Sequence, residues 1–519
     1  MTRHSLIAAS LLLGSTLPAL NLLAEPASNV LRYKPPAIAS SATATPESIA
    51  TLINQLSDQD PFANGDAATQ LAAIGEPAVS ALLAALRSDD VNVRHGAAIA
   101  LWKIAPLGGL STLVPLQAAL QDKSADVRWC AALALGKYGA SAKDSAPDLA
   151  RLLHDADRDV AWAAYTALLK ISPASLPGAP AGDEVIAQLE SLTPEVMREM
   201  KVPGVSIALI KNGDVSWAKA FGLADVAANK PATSDTVFEA CSMSKPILAY
   251  LVLHLVDDGQ LGLDRPLVTY LPNNFVGTNE DFSKQITARM ILAHTSGLPN
   301  WRKGGEERDG PVPILFKPGT RFEYSGEGFL YLQRVVEHIT GEPLDALAKR
   351  WLFDPLGLSA TSFIWSQALE AHIAIGYDDT GAARAGGHYT HANAAYTLYT
   401  TPTEYAKLML AIVQGNPTAG VSLSPSVKKD MFTPQVRVES REFIDRPGRA
   451  LGQQAFRGLG WCLDDTITGD IVYHSGANQT GFRCYAQLNP RDGSGLVIMT
   501  NGYRGNDLWH RLISAVGDW

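Results

Sequence analysis

Four short segments recur along the first third of the chain: AATQL from Ala67, AAIAL from Ala97, AALAL from Ala131 and AYTAL from Ala164, at spacings of 30, 34 and 33 residues. Clustered alanines leave a helix face on which another backbone can lie close, and the terminal leucine anchors it. The last three segments each follow an acidic entry, DDVNVR from Asp89, SADVRW from Ser124 and DRDVAW from Asp157. Between them run second amphipathic stretches, AVSALLAALRS and APDLARLLHD. Two helices per period of about 30 residues describe an α-solenoid. Neither helix of a pair can bury its apolar face alone, so stacking makes the array stable.

The pattern resembles HEAT repeats of the short type. Arrays of that kind offer a surface to a protein partner, which makes the repeats a candidate interaction surface; bracing a neighbouring domain is the alternative. The rest of a 519-residue chain must fill at least one further domain. The expected division is a signal peptide at 1–24, a Pro/Ala/Ser/Thr linker at 25–49, the repeats at 50–171, the linker containing SPASLPGAPAG at 172–184, and a final domain at 185–519.

Arg3, the apolar stretch behind it and Leu22-Leu23-Ala24 form the pattern of a secretory signal. Pro18 and Asn21 interrupt that stretch and argue against a retained anchor. Export to a bacterial periplasm, or secretion, is the expectation, with no transmembrane anchor in the mature chain. Cys130, Cys241, Cys462 and Cys484 are too few for a disulfide framework. They read as core residues, with a Cys462–Cys484 bridge as the alternative. A formal charge of −9 without a basic run speaks against a nucleic-acid partner.

Past the second linker the patterning changes. VIAQLESLTPEVMREM reads as a helix, and VPGVSIALIKNGDVSWAKAFG as two strands about an Asn212-Gly213 turn. Strands return late, in RGLGWCLDD, GDIVYHSG, GFRCYAQLNP and SGLVIMTN, before a closing helix. Strands from both ends around a helical middle imply one domain with an antiparallel sheet. Within it stands VFEACSMSKPILAYLVLHLVDDGQL. From Ile247 to Val256 only His254 is strongly polar, so this helix is expected to be buried on most sides. Ser242 lies at its N-terminus and Lys245 one turn on. A lysine carried indoors is costly unless paired or neutral, and a neutral amine beside a serine hydroxyl is a base beside a nucleophile.

The motifs VPGVSIALIKNGD, TVFEACSMSK, ILAHTSGLPNW, KPGTRFEYSGEGFLYLQRVVEHITG, LFDPLGLSATSF and YHSGANQTGF occur in order. With them, residues from about 185 to 519 resemble the serine β-lactamase-related hydrolases: class C β-lactamases, DD-peptidases, D-aminopeptidases and esterases on the same fold. The resemblance implies a multidomain protein, an α-solenoid followed by an α+β domain with an antiparallel sheet, helices on its faces and a helical subdomain. It implies an acyl-enzyme on Ser242, with Lys245 and Tyr324 moving protons. The backbone N–H groups of Ser242 and Ala477 would form an oxyanion hole, and Ser475 and Gly476 would bind substrate. His474 would donate to Tyr324 or titrate near neutrality. No cofactor or metal is implied; His388 and His391, at i and i+3, lack a third ligand nearby. Two departures weigh on the substrate. Gly326 stands where β-lactamases carry asparagine, and His474-Ser475-Gly476 where penicillin-recognising members carry Lys-Thr-Gly. An ester, or an amide bound differently, is expected first, β-lactams or cell-wall peptides second. A non-catalytic scaffold working through the repeats is the third reading. His294 is expected to be structural, and the Gly/Ala-rich stretch from Gly376 to Tyr396 to rim the site.

Overall fold

A computed structural model describes residues 45–58, 61–172, 175, 182–271, 275–277, 280–303, 310–438, 455–466 and 469–516. The expected signal peptide lies outside the described residues. The chain divides between Pro177 and Gly178 into two compact units.

Among the described residues, the first unit holds four helix pairs: α1 (Pro46–Gln55) with α2 (Pro61–Ile74), α3 (Glu76–Ala85) with α4 (Val91–Ile104), α5 (Leu113–Ala119) with α6 (Ala125–Tyr138), and α7 (Ala146–Leu152) with α8 (Arg158–Ile171). The recurring alanines fall in the second helix of each pair, and Ala67, Ala68, Ala97, Ala98, Ala131, Ala132 and Ala164 are all buried. Backbones approach closely there. A Cβ on Gly136 of α6 would sit 3.1 Å from the Ala167 Cα of α8.

The aspartates in and just before the acidic entries serve two purposes. Asp90 and Asp157 cap α4 and α8, accepting from Asn92 N and from Asp159 and Val160 N. Asp122 and Asp155 each receive an arginine from the preceding repeat, Arg94 Nε to Asp122 Oδ2 and Arg128 Nε to Asp155 Oδ2, both at 2.7 Å. Each guanidinium also holds two backbone carbonyls of its own turn.

The second unit begins with α9 (Gly182–Met200), β1 (Gly204–Lys211), β2 (Asp214–Asp225), β3 (Lys230–Pro231) and β4 (Phe238–Glu239). Its middle holds α10 (Lys245–Asp257), α11 (Gly326–Thr340), β5 (Tyr399–Thr400) and α12 (Pro402–Gln414). It closes with β6 (Val436–Arg437), β7 (Ala455–Arg457), β8 (Cys462–Thr466), β9 (Gly469–Ala477), β10 (Arg483–Leu488), β11 (Gly495–Thr500) and α13 (Gly505–Val516). The strands form a nine-stranded sheet in the order β3-β2-β1-β11-β10-β9-β8-β7-β6, and β4 pairs with β5. Every pairing is antiparallel, with Ile207 opposite Ile498 where the first strand meets the last. The β1–β2 hairpin turns on Asn212 and Gly213, both at positive φ.

Side-chain alternation sorts the core. Val205, Ile207, Tyr485 and Ile498 pack with Leu189 of α9 and Trp509 of α13 on one face. Ala208, Cys484, Ala486, Val497 and Met499 pack with α10 and α12 on the other. One expectation needs correction. RGLGWCLDD is not one strand: the chain turns over at Gly460, φ +81°, and Arg457 and Cys462 face one another across a β7–β8 hairpin. Neither Gly458 nor Gly460 has room for a Cβ, since the Met431 carbonyl and the Ala249 Cβ stand in the way.

Candidate active site

Ser242 lies in a short 3-10 turn, Cys241–Ser244, that runs directly into α10. Cys241 enters this turn at φ +53°, an unusual conformation for a residue with a side chain, so the turn must be held from outside. Three hydrogen bonds hold it. Ala240 N donates to Leu398 O, Leu398 N to Ser244 Oγ, and the Tyr405 hydroxyl to Met243 O. From the sheet side comes Gly476 of β9. A Cβ there would meet Ala240 O at 2.5 Å, Cys241 Cβ at 2.9 Å and Ser242 N at 3.1 Å. The glycine is thus required by the close approach of strand and turn.

Lys245 is the first residue of α10 and is 1% exposed. Its Nζ stands 3.3 Å from Ser242 Oγ and 2.8 Å from the Ala395 carbonyl oxygen. The same atom lies 4.8 Å from the centre of the Tyr324 ring and 5.5 Å from that of Phe329. Burial, and then the nearby Arg457 guanidinium, lower its pKa to about 7. Near neutral pH much of the amine is therefore uncharged. It can keep an N–H on Ala395 O and turn its lone pair to the Ser242 hydroxyl. Cys241, next in the chain, is no rival nucleophile: burial and the adjacent Cys484 thiol raise its pKa well above the ordinary range.

Tyr324 precedes Ser325, the N-cap of α11. Its ring stacks on His294 at 4.3 Å and 25°. His294, at φ +58°, accepts from Ser325 N through Nδ1 at 3.0 Å, so its proton is on Nε2. Burial, Arg457 and Lys245 push its pKa well below the usual imidazole range. A neutral ring thus fixes the tyrosine from behind.

His474 shares the Lys245 side of the sheet with Val472, and only 2% of it is exposed. Burial, Arg457 and Lys245 drive its pKa well below 6.5, which revises the expectation of a residue titrating near neutrality. Its Nδ1 lies 2.7 Å from Ser475 O, and a carbonyl can only accept. The proton therefore sits on Nδ1, and Nε2 is left as an acceptor. A neutral His474 with its proton on Nδ1 has no Nε2 proton to donate to Tyr324. Ser475 stands opposite Tyr485, whose ring is in the core of the other face, and Ala477 opposite Arg483 with its side chain exposed.

Sequence reasoning passed over Arg457, which is 2% exposed, lies 5.7 Å above the Tyr324 ring and contacts the Cys462 thiol. A charge in a strand reads as solvent-facing, and only the β7–β8 hairpin turns this one inward. It also passed over Glu239. That buried carboxylate accepts from Gly387 N, the Tyr389 hydroxyl, Asn478 Nδ2 and Thr480 Oγ1. The Gly376–Tyr396 stretch reaches the site through Ala395 O and, with Tyr389, through Glu239. The four cysteines are buried thiols, and Cys462 and Cys484 belong to cores on opposite faces of the sheet, which rules out the alternative bridge. His388 and His391 diverge, the first against Trp365 and Glu370, the second bonded to Thr390. Among the described residues no group of His, Cys, Asp or Glu is arranged to hold a metal ion.

A family model described as Beta-lactamase matches residues 189–516. One described as HEAT repeats matches 20–102 and 79–169. Protein flp of Staphylococcus aureus strain MRSA252 is 26% identical over 331 residues, 60% of this chain and 62% of that protein. Esterase EstB of Burkholderia gladioli is 30% identical over 217 residues, 37% of this chain and 55% of that protein. The chain thus spans less than two thirds of the length of these curated relatives. Among solved structures, the hydrolase EstCE1 superposes with a TM-score of 0.54 at 20% identity, covering 64% of this chain and 98% of that one. The penicillin-binding protein homologue from Pyrococcus abyssi gives 0.53 at 24% identity, covering 64% and 76%. At these identities the solved structures establish the fold.

Proposed function

The chain belongs to the β-lactamase family, with HEAT repeats ahead of that domain, and from this premise we propose that it is an exported serine hydrolase cleaving an ester or amide. Ser242 Oγ attacks the carbonyl carbon while Lys245 Nζ takes the hydroxyl proton. The C–O or C–N bond then breaks, and the leaving group departs with a proton relayed through Tyr324. Water hydrolyses the acyl-serine by the reverse relay and restores both groups. The backbone N–H groups of Ser242 and Ala477 receive the oxyanion, each such donor contributing about 3 kcal/mol. The neutral His474, with Nε2 as acceptor, orients the Tyr324 O–H.

The observation that carries this reading is a fully buried amine, its pKa lowered to about 7, lying 3.3 Å from a serine hydroxyl. Hydrolysis of p-nitrophenyl acetate and butyrate by the wild type and by Ser242→Ala tests it. A fluorophosphonate adduct mapped to the peptide containing Ser242 is the companion result. Equal rates in the two proteins, or an adduct elsewhere, remove Ser242 from the mechanism. An ester is preferred to a β-lactam because Gly326 offers no side-chain amide and His474 no cationic partner for a carboxylate. Nitrocefin turnover at a rate rivalling the esters would reverse that order.

A further inference from the structure

Gly326 opens α11, and its backbone conformation is one that any residue can adopt. What excludes a side chain there is a backbone carbonyl and an indole together: a Cβ would lie 2.9 Å from the Asn300 carbonyl oxygen. An ideal Cβ at 326 would lie 2.8 Å from both Cζ2 and Cη2 of the Trp301 indole. The indole stands in the volume that residue 326 would otherwise fill, two positions beyond Tyr324.

Both neighbours of Trp301 are fastened to the start of α11. The Asn300 carbonyl accepts from Gly326 N and Glu327 N, and Asn300 Oδ1 lies 3.1 Å from Gly326 N. Arg302 meets the fully buried Glu327 carboxylate through Nε, Nη2 and its own backbone N, at 2.8, 2.7 and 3.0 Å. Trp301 itself remains 38% exposed, edge-on to Tyr396 at 5.6 Å and 87°. Tyr396 follows Ala395, whose carbonyl holds Lys245. A large, partly exposed aromatic surface thus lies against Gly326, two residues beyond Tyr324, and against Tyr396, the residue after Ala395. Leaving an indole exposed and ordered suits a contact surface for an apolar group.

We propose that Trp301 is a specificity-determining residue, and that substrates of this hydrolase carry an apolar aryl or alkyl substituent that packs against its indole. The inference rests on the Ser242 reading and adds the substrate class.

Trp301→Ala and Trp301→Phe are compared with the wild type on p-nitrophenyl phenylacetate, octanoate and acetate. A second series varies the leaving group with acetyl fixed. Loss of the stacking face lowers kcat/KM of Trp301→Ala by about tenfold for the aryl or alkyl substituent in one of the two series, carried mainly by KM. Acetate with the small leaving group changes by less than about twofold, and Trp301→Phe falls between. Labelling of Ser242 by benzyl- and methyl-substituted fluorophosphonates reads the same preference without turnover. Uniform losses across all substrates and probes, or no loss on any, overturn the proposal and leave Ser242 in place. A Ser242→Ala protein as active as the wild type overturns the catalytic reading, and this inference falls with it.

Discussion

Lys245 shows how one residue's surroundings set its chemistry. An ordinary lysine amine is charged at neutral pH; this one is buried, faces Arg457 and has a pKa lowered to about 7. The groups around it are Arg457, Cys241 and the neutral rings of His294 and His474. The base form gains population as pH rises through 7, so kcat/KM for ester hydrolysis is expected to climb with an apparent pKa near that value. Arg457 disfavours the ammonium, so Arg457→Gln raises the amine's pKa. The ascending limb then moves to higher pH, with a rate reduced by about fivefold at pH 7 and little changed well above it. A profile that stays in place would remove Arg457 from the tuning of Lys245. Gly476 makes a second prediction at this scale. A methyl at 476 meets backbone atoms of Ala240 and Ser242 rather than a yielding side chain. Gly476→Ala is expected to cut Ser242 labelling by about 100-fold, the order of loss that small misplacements of a reacting group produce. Labelling at the wild-type rate would mean that strand and turn separate without cost.

At the scale of elements, the arginine ladder distinguishes repeats that look alike in sequence. Arg94 and Arg128 stand three residues after the residues that begin α4 and α6, and each bridges to the aspartate of the next repeat. The corresponding residue of α8 is Ala161, so the ladder ends at Asp155. Arg128→Ala takes the guanidinium from two carbonyls and from a nearly buried carboxylate that keeps only the Asp157 N–H among these donors, a loss of about 2 kcal/mol. The melting of the helical unit, followed by circular dichroism, is expected to start several degrees lower; an unchanged transition would make the ladder ornamental. Glu239 does comparable work in the second unit, tying the loop at Gly387–Tyr389 to Asn478 and Thr480. Burial and this carboxylate hold the Tyr389 phenol protonated as its donor. Glu239→Ala should therefore loosen the rim and lower kcat/KM, a loss that Glu239→Gln recovers in part because the amide oxygen still accepts. Equal losses in both variants would show that charge, and not the acceptor, is what the loop requires.

For the whole molecule, both large cores of the second unit are closed sets of residues from Val185 onward. A protein beginning at Gly182 is accordingly expected to fold and to label at Ser242 within about twofold of the full chain; a loss of labelling would assign the helical unit a part in the site. The sequence by itself determined whatever depends on period and spacing: the paired helices, because alanines recur with the repeat, the hairpin at Asn212-Gly213, and the serine and lysine one turn apart, because helical pitch brings them together. The structure decided what depends on groups distant along the chain. Arg457 turns inward only because β7 folds back on β8, and its charge then adds to the burial of Lys245 and His474 in disfavouring charge on both. The Nδ1 proton of His474 follows from where the Ser475 carbonyl points. Gly326 reads in sequence as a missing amide, and only the tertiary arrangement reveals an indole in its place. Local pattern fixes which side chains a helix or strand presents, while solvent exclusion and the sharing of one volume arise only when separate segments pack.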